Sequence, residues 1–246
     1  MTVTTRTPAG RTNPDAAVRL RLIDGFELVV DGAVVDTPLA TQRLVAFLAL
    51  HPRPVQRHYV AGSLWLEKSE SRATSNLRSA LWRAHGFGER LIRSNRTQLR
   101  LADDVYVDVA EMDAVARRLV AGLLDDSVAD TRLLGGQLLP DWYDEWVLIE
   151  RERLRQLCLN ALEQLSARRL AQGEVALAID AAYAAVAAEP LRESAHRALA
   201  EAHLAAGNHG EAVRQYERYR RLLRDALGLA PSSAFRACVA SVSPAR

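Results

Sequence analysis

Two four-residue runs constrain this chain more than any other feature. Leu170–Gly173 reads Leu-Ala-Gln-Gly and Leu204–Gly207 reads Leu-Ala-Ala-Gly, an offset of 34 residues. Ala178-Ile179 recurs as Ala212-Val213 at the same offset. Gly173, Ala178, Ala182, Ala185 and Pro190 put small residues where two helices approach closely and a glycine where the chain turns, as do Gly207 and Ala212. Tyr216 takes an aromatic position of the repeat, and Tyr219 stands where a small residue is usual. A helix pair repeated at a fixed period buries its apolar face only by stacking on its neighbour. The same alanines also fit a plain helical bundle.

The helical pattern runs from Glu111 to Ala240. Short helices are expected over Glu111–Leu124 and Ala129–Leu134, followed by breakers at Gly135-Gly136 and Pro140. Trp142, Tyr143 and Trp146 then form one aromatic cluster. A long helix is expected over Glu145–Ala171, with Val147, Leu148, Leu154, Leu157, Leu162 and Leu165 available for packing.

The N-terminal part obeys other rules. Residues 1–16 are polar, lack the apolar core of a signal peptide and are read as a disordered tail. Arg19–Ile23, Phe26–Val30 and Ala33–Val35 are short apolar runs separated by Asp24-Gly25 and Asp31-Gly32, which predicts a small antiparallel meander. Leu39–Leu50 reads as a helix ended by Pro52 and Pro54. Val55–Leu66 reads as a second helix, with Val60, Leu64 and Trp65 inward, and Ser69–Ala84 as a third. Two helices joined by the short polar connection Glu67–Ser71 make a helix-turn-helix. Strands at Leu91–Ser94 and Gln98–Leu101, turning at Asn95-Arg96-Thr97, would add a wing, and Val105–Val109 an edge segment.

The third helix is where chemistry concentrates. Ala73, Leu77, Ala80, Leu81 and Ala84 form a narrow apolar stripe. The opposite face carries Arg72, Ser75, Ser79 and Arg83, flanked by Asn76, Arg78 and Trp82. Arginine forks match guanine O6/N7, asparagine matches adenine N6/N7, and serine and arginine also bind phosphates. Arg93 and Arg96 on the hairpin could reach a DNA backbone or minor groove, or simply solubilise the hairpin. Trp82 is read as an aromatic that braces the wing, with contact to a sugar backbone as the alternative. Charge points the same way. Between Gln42 and Arg100 stand eleven basic and three acidic residues, a net +8, against +2 for the whole chain. That asymmetry implies a polyanion partner.

Other function classes find little support. His51 and His58 lack a ligand-like partner, and no phosphate loop, GxSxG or HExxH occurs. Asp103-Asp104 and Asp125-Asp126 read as turn residues. No catalytic residue, metal site or cofactor is expected. The two cysteines, Cys158 and Cys238, suit a reducing cytoplasm, and no apolar run is long enough for a membrane span. Thirty-one arginines against a single lysine, Lys68, with many alanines, suggest a high-GC bacterial genome.

The order of these parts resembles the Streptomyces antibiotic regulatory protein family of the AfsR/DnrI type. There a winged helix precedes a bacterial transcriptional activator domain of tetratricopeptide-like helices. Matching stretches are Arg19–Ile23 with Gly25–Leu28, Gln42-Arg43, Asn76–Arg83, Trp142–Trp146, Glu150–Leu154, Glu189–Glu193 and Leu227–Pro231. The expected fold is an α+β winged helix-turn-helix domain over residues 17–109. An all-α tetratricopeptide-like domain follows over residues 110–246. The resemblance implies an activator, not an enzyme, that binds promoter direct repeats and helps recruit RNA polymerase holoenzyme. It places Arg72, Ser75, Asn76, Arg78, Ser79 and Arg83 in or near the groove of double-stranded DNA. It turns Glu67, Lys68, Ser69, Glu70 and Ser71 toward polymerase. Head-to-tail self-association on tandem repeats is also implied. The recognition helix departs from the Val-Tyr-Val-Ser-Arg-Leu-Arg-Arg type of run common in the family, so its target site is its own. No ATPase or forkhead-associated module is expected. A protein-interaction scaffold without specific DNA binding is the competing reading.

Overall fold

The computed structural model describes residues 16–123 and 131–240. Apart from Ala16, the expected N-terminal tail lies outside the described residues, as do Leu124, Asp125-Asp126 and Ala129. The chain forms two compact units. One comprises the residues up to Ala114 with Gln137–Glu152, and the other Val115–Gly136 with the residues from Arg153 onward.

The first unit opens with strands β1 (Val18–Arg21), β2 (Glu27–Val30) and β3 (Ala33–Val34). The turns are as expected, with positive φ at Asp24, Gly25, Asp31 and Gly32. At Asp31-Gly32 both central residues of a two-residue hairpin lie at positive φ, which matches the right-handed twist of the strands it joins. Val18 pairs with Val30 and Leu20 with Leu28. Val105–Val109 supplies an edge strand, as expected, and it lies at the edge of this sheet. Its strand β7 (Tyr106–Val107) runs parallel to β1, so the sheet order is β3-β2-β1-β7. Leu22 and Ile23 leave β1 early because other partners take their backbones. Both N–H groups donate to the buried Asp108 carboxylate, and Ile23 bridges to Leu138.

Helix α1 (Leu39–Leu50) forms as expected and buries Leu44, Phe47 and Leu48. The second helix does not begin at Val55. Val55–Gln56 is strand β4, and helix α2 covers only Arg57–Leu64. The cause is tertiary: Val55 and Gln56 pair with Leu99 and Gln98, which adds a third strand to the wing hairpin. Trp65 and Leu66 fall in the turn, Trp65 half-buried and Leu66 exposed. Helix α3 (Glu70–Ala84), a 3-10 segment (His85–Arg90) and the hairpin β5 (Ile92–Ser94) and β6 (Gln98–Leu101) follow. Residues 137–152 return to this unit. Trp142 stacks on Phe26 at 6.0 Å, and Trp146 meets Phe47 edge-on at 5.2 Å. Asp144 pairs with Arg43 of α1, and Arg151 donates to the carbonyls of Leu138, Leu139 and Trp142. Tyr143 and Leu148 do not pack as expected, and both are exposed.

Helix α4 covers Asp108–Val120, three residues earlier than its sequence signal, and helix α6 covers Glu145–Ala171 as expected. The second unit continues with α5 (Thr131–Gly135), α7 (Val175–Ala188), α8 (Glu193–Ala205), α9 (His209–Leu227) and α10 (Ser233–Ala240). The repeat is geometric as well as sequential. Helices α6 and α8 end at Ala171 and Ala205, and α7 and α9 begin at Val175 and His209, each pair 34 residues apart. Gly173 and Gly207 turn at φ 80° and 72°, a conformation that side chains with a Cβ rarely adopt. Ala178, Ala182, Ala185 and Ala212 are fully buried. Tyr219 fits because its ring packs on His196 at 4.5 Å and its hydroxyl donates to the carbonyl of Leu191.

Candidate nucleic-acid interface

Helix α3 divides its surface into three faces. Ala73, Leu77, Ala80 and Ala84 are buried against α1 and α2. Arg72, Ser75, Ser79 and Arg83 are exposed and Asn76 is half-buried. A third stripe, Arg78, Leu81, Trp82 and His85, turns toward the β5–β6 hairpin. Leu81, expected on the apolar stripe, is only half-buried for this reason.

The arginines differ in what they touch. Arg43 is paired with Asp144 and Arg90 with Asp31. Arg93 and Arg100 share the Asp103 carboxylate, at 3.2 and 3.0 Å. The predicted wing contact Arg93 is therefore charge-matched, while Arg96 at the hairpin tip is exposed and has no ion pair among the described residues. Arg72, Arg78 and Arg83 likewise have no ion pair among the described residues. Within Gln42–Arg100 the basic residues with no ion pair among the described residues are Arg53, Arg57, Lys68, Arg72, Arg78, Arg83 and Arg96, four of them on α3 and the wing tip. The tip itself is ordered by Asn95, whose Oδ1 accepts from the N–H groups of Thr97 and Gln98 at 2.9 and 2.7 Å.

Trp82 corrects its expectation. It does not brace the wing as a packed aromatic, for it is 78% exposed and has no ring partner among the described residues. Arg57 counts in the sequence only as one of the eleven basic residues, with no sign of its place on the wing. Its N–H donates to Thr97 O and its Nε to Asn95 O, which fastens its guanidinium to the wing. The β-branched Val55 after Pro54 was the available signal that the segment begins as a strand. The polar turn before α3 runs through Glu67, Lys68 and Ser69, while Glu70 and Ser71 already belong to the helix; all five are exposed. Ser69 holds the N-cap position, its carbonyl accepting from Ala73 N–H at 2.8 Å.

Among the described residues, no group of three or more His, Cys, Asp or Glu could hold a metal ion, and no helix is long and apolar enough to cross a membrane. A profile of the bacterial transcriptional activator domain matches residues 108–242. Among solved structures, Mycobacterium tuberculosis EmbR in complex with a low-affinity phosphopeptide is similar, at 24% identity with a TM-score of 0.66. The match covers 93% of this chain and 65% of that one, so this chain spans just under two thirds of EmbR as solved. It supports the winged-helix-plus-helical fold. No curated protein sequence matches the chain.

Proposed function

The chain belongs to the family of transcriptional regulators defined by the bacterial transcriptional activator domain, and from that premise we propose that it is a sequence-specific activator that binds promoter DNA through α3. The observation that carries this reading is the exposed face of α3, where Arg72, Arg78 and Arg83 have no ion pair among the described residues beside Ser75, Asn76 and Ser79. A scaffold has no use for a row of free guanidinium groups aligned with an amide. A DNA major groove supplies phosphates and base edges for all of them.

In this reading, residues 17–109 bind double-stranded promoter DNA and residues 110–246 hold protein partners. Phosphate contacts supply affinity and its salt dependence. Each good bidentate base contact adds about 1–3 kcal/mol of discrimination. Arg96, and Arg93 if it exchanges Asp103 for a phosphate, extend the contact to the flanking backbone. Glu67, Lys68, Ser69, Glu70 and Ser71 face RNA polymerase holoenzyme, and neighbouring copies associate on direct repeats.

The test is selection of bound fragments from the source genome, followed by titration of the best fragment against salt. A recovered direct repeat, bound by the wild type and lost by the Arg72→Ala/Arg83→Ala variant, supports the reading. Because these two arginines read base edges in this reading, the loss should fall on the selected fragment more heavily than on unrelated DNA. Weak binding equal on every fragment would instead favour the interaction scaffold and move the search to protein partners of residues 110–246.

A further inference from the structure

The wing-side stripe of α3 and the hairpin enclose a groove of about 310 Å³, separate from the Arg72–Arg83 face. Arg57, Arg78, Leu81, Trp82, His85 and Ser94 line it. Its floor is apolar at Leu81, both arginines bring positive charge, and no acidic side chain lines it. Trp82 stands at its edge with most of its indole in solvent. A large aromatic so exposed contributes little to the fold, and one that shares a groove with two arginines suits an amphipathic, anionic partner.

We infer that this groove seats one strand of the DNA sugar–phosphate backbone, with Trp82 against a deoxyribose and Arg57 and Arg78 at the phosphates on either side. The inference rests on the proposed DNA binding and deepens it. Three observations single out this occupant. Arg78 in the groove extends onto the wing side the row of arginines that α3 carries at Arg72 and Arg83. Its volume is at the small end for a ligand site. Its charge is of one sign, and the Arg57 guanidinium is held in place by the Asn95 carbonyl before any ligand arrives. Along α3 the stripe Arg78, Leu81, Trp82 and His85 lies about 120° from the stripe Arg72, Ser75, Ser79 and Arg83. The helix would therefore read base edges with one face and grip a backbone with the other.

A backbone contact carries no sequence information, and a contact made by an uncharged ring releases no counterion. These two facts define the experiment. The full chain is titrated by fluorescence anisotropy, over a range of salt, against a duplex selected from the source genome by the wild type and a scrambled duplex of the same composition. Trp82→Ala should weaken both by the same factor, roughly tenfold, with the salt slope unchanged. Trp82→Phe should recover part of the loss. Arg78→Gln should weaken both and flatten the slope by about one. Circular dichroism checks that each variant is folded.

Loss confined to the selected duplex would make Trp82 a base-reading residue and overturn the inference. Wild-type affinity in Trp82→Ala would overturn it as well. The parent reading fails separately. If the wild type itself selects no fragment, DNA binding falls and the backbone groove with it. If Arg72→Ala/Arg83→Ala loses the selected duplex while Trp82→Ala binds normally, only the groove falls.

Discussion

Asp108 sits where three backbone segments need an acceptor. Its carboxylate takes the N–H groups of Leu22, Ile23 and Val109 at 2.7–3.0 Å, joining the end of β1 to the start of α4 across 86 residues. Asp108→Ala would leave those donors buried without partners and should cost about 3 kcal/mol, read by urea denaturation. Burial pushes the Asp108 carboxyl up to about 6 against the backbone donors that favour its charged form. A folded-state value raised above 3.8 means the native protein holds the proton more tightly than the unfolded chain. Its contribution to stability is therefore full below 3.8 and is lost as pH rises through about 6. The difference in stability between wild type and Asp108→Asn should show that slope between these limits and be flat above them. A flat difference throughout would mean that folding leaves this carboxyl's proton affinity unchanged, and the opposite slope below 3.8 that the backbone donors hold its charged form. Nothing in the sequence marked Asp108. It reads as one more residue of an edge segment, because its partners are distant along the chain.

At the scale of elements, periodicity was a good guide wherever one face of an element decides its burial. Helices α1, α3 and α6 and both wing strands fall within a residue or two of their sequence signals. The stripe Ala73, Leu77, Ala80 and Ala84 is buried as read. Val55–Gln56 escaped because two residues are too short to show a period, and only pairing with β6 makes them a strand. The repeat was legible because the small residues at its helix contacts are obligatory. Ala182 is fully buried in α7, which packs along α8. Ala182→Leu should cost about 1–3 kcal/mol by overpacking, seen as a lowered midpoint in thermal unfolding followed by the helical dichroism. Unchanged stability would mean that the helices can separate there, as a loose bundle could and a close-packed repeat could not.

At the scale of the whole molecule, the chain does not divide into units in sequence order, for residues 137–152 return to the first unit. Trp146 is the clearest test of that return. Its ring meets Phe47 and Trp142, while Tyr143, three residues earlier, is exposed. Trp146→Ala should destabilise the protein by about 2 kcal/mol in chemical denaturation, since the ring is only half-buried, and Tyr143→Ala by less than about 0.5 kcal/mol. Equal effects would mean that the aromatic cluster contributes no packing. By itself the sequence determined the helix-turn-helix, the wing, the repeat of 34 residues and the polar face of α3, because each is a local pattern of period, turn residue or charge. The tertiary structure alone decided which arginines keep their charge uncompensated, that Trp82 stands in solvent beside Arg57 and Arg78, and that β7 joins β1. Those outcomes depend on which side chains meet across long stretches of chain, and no local pattern encodes such meetings.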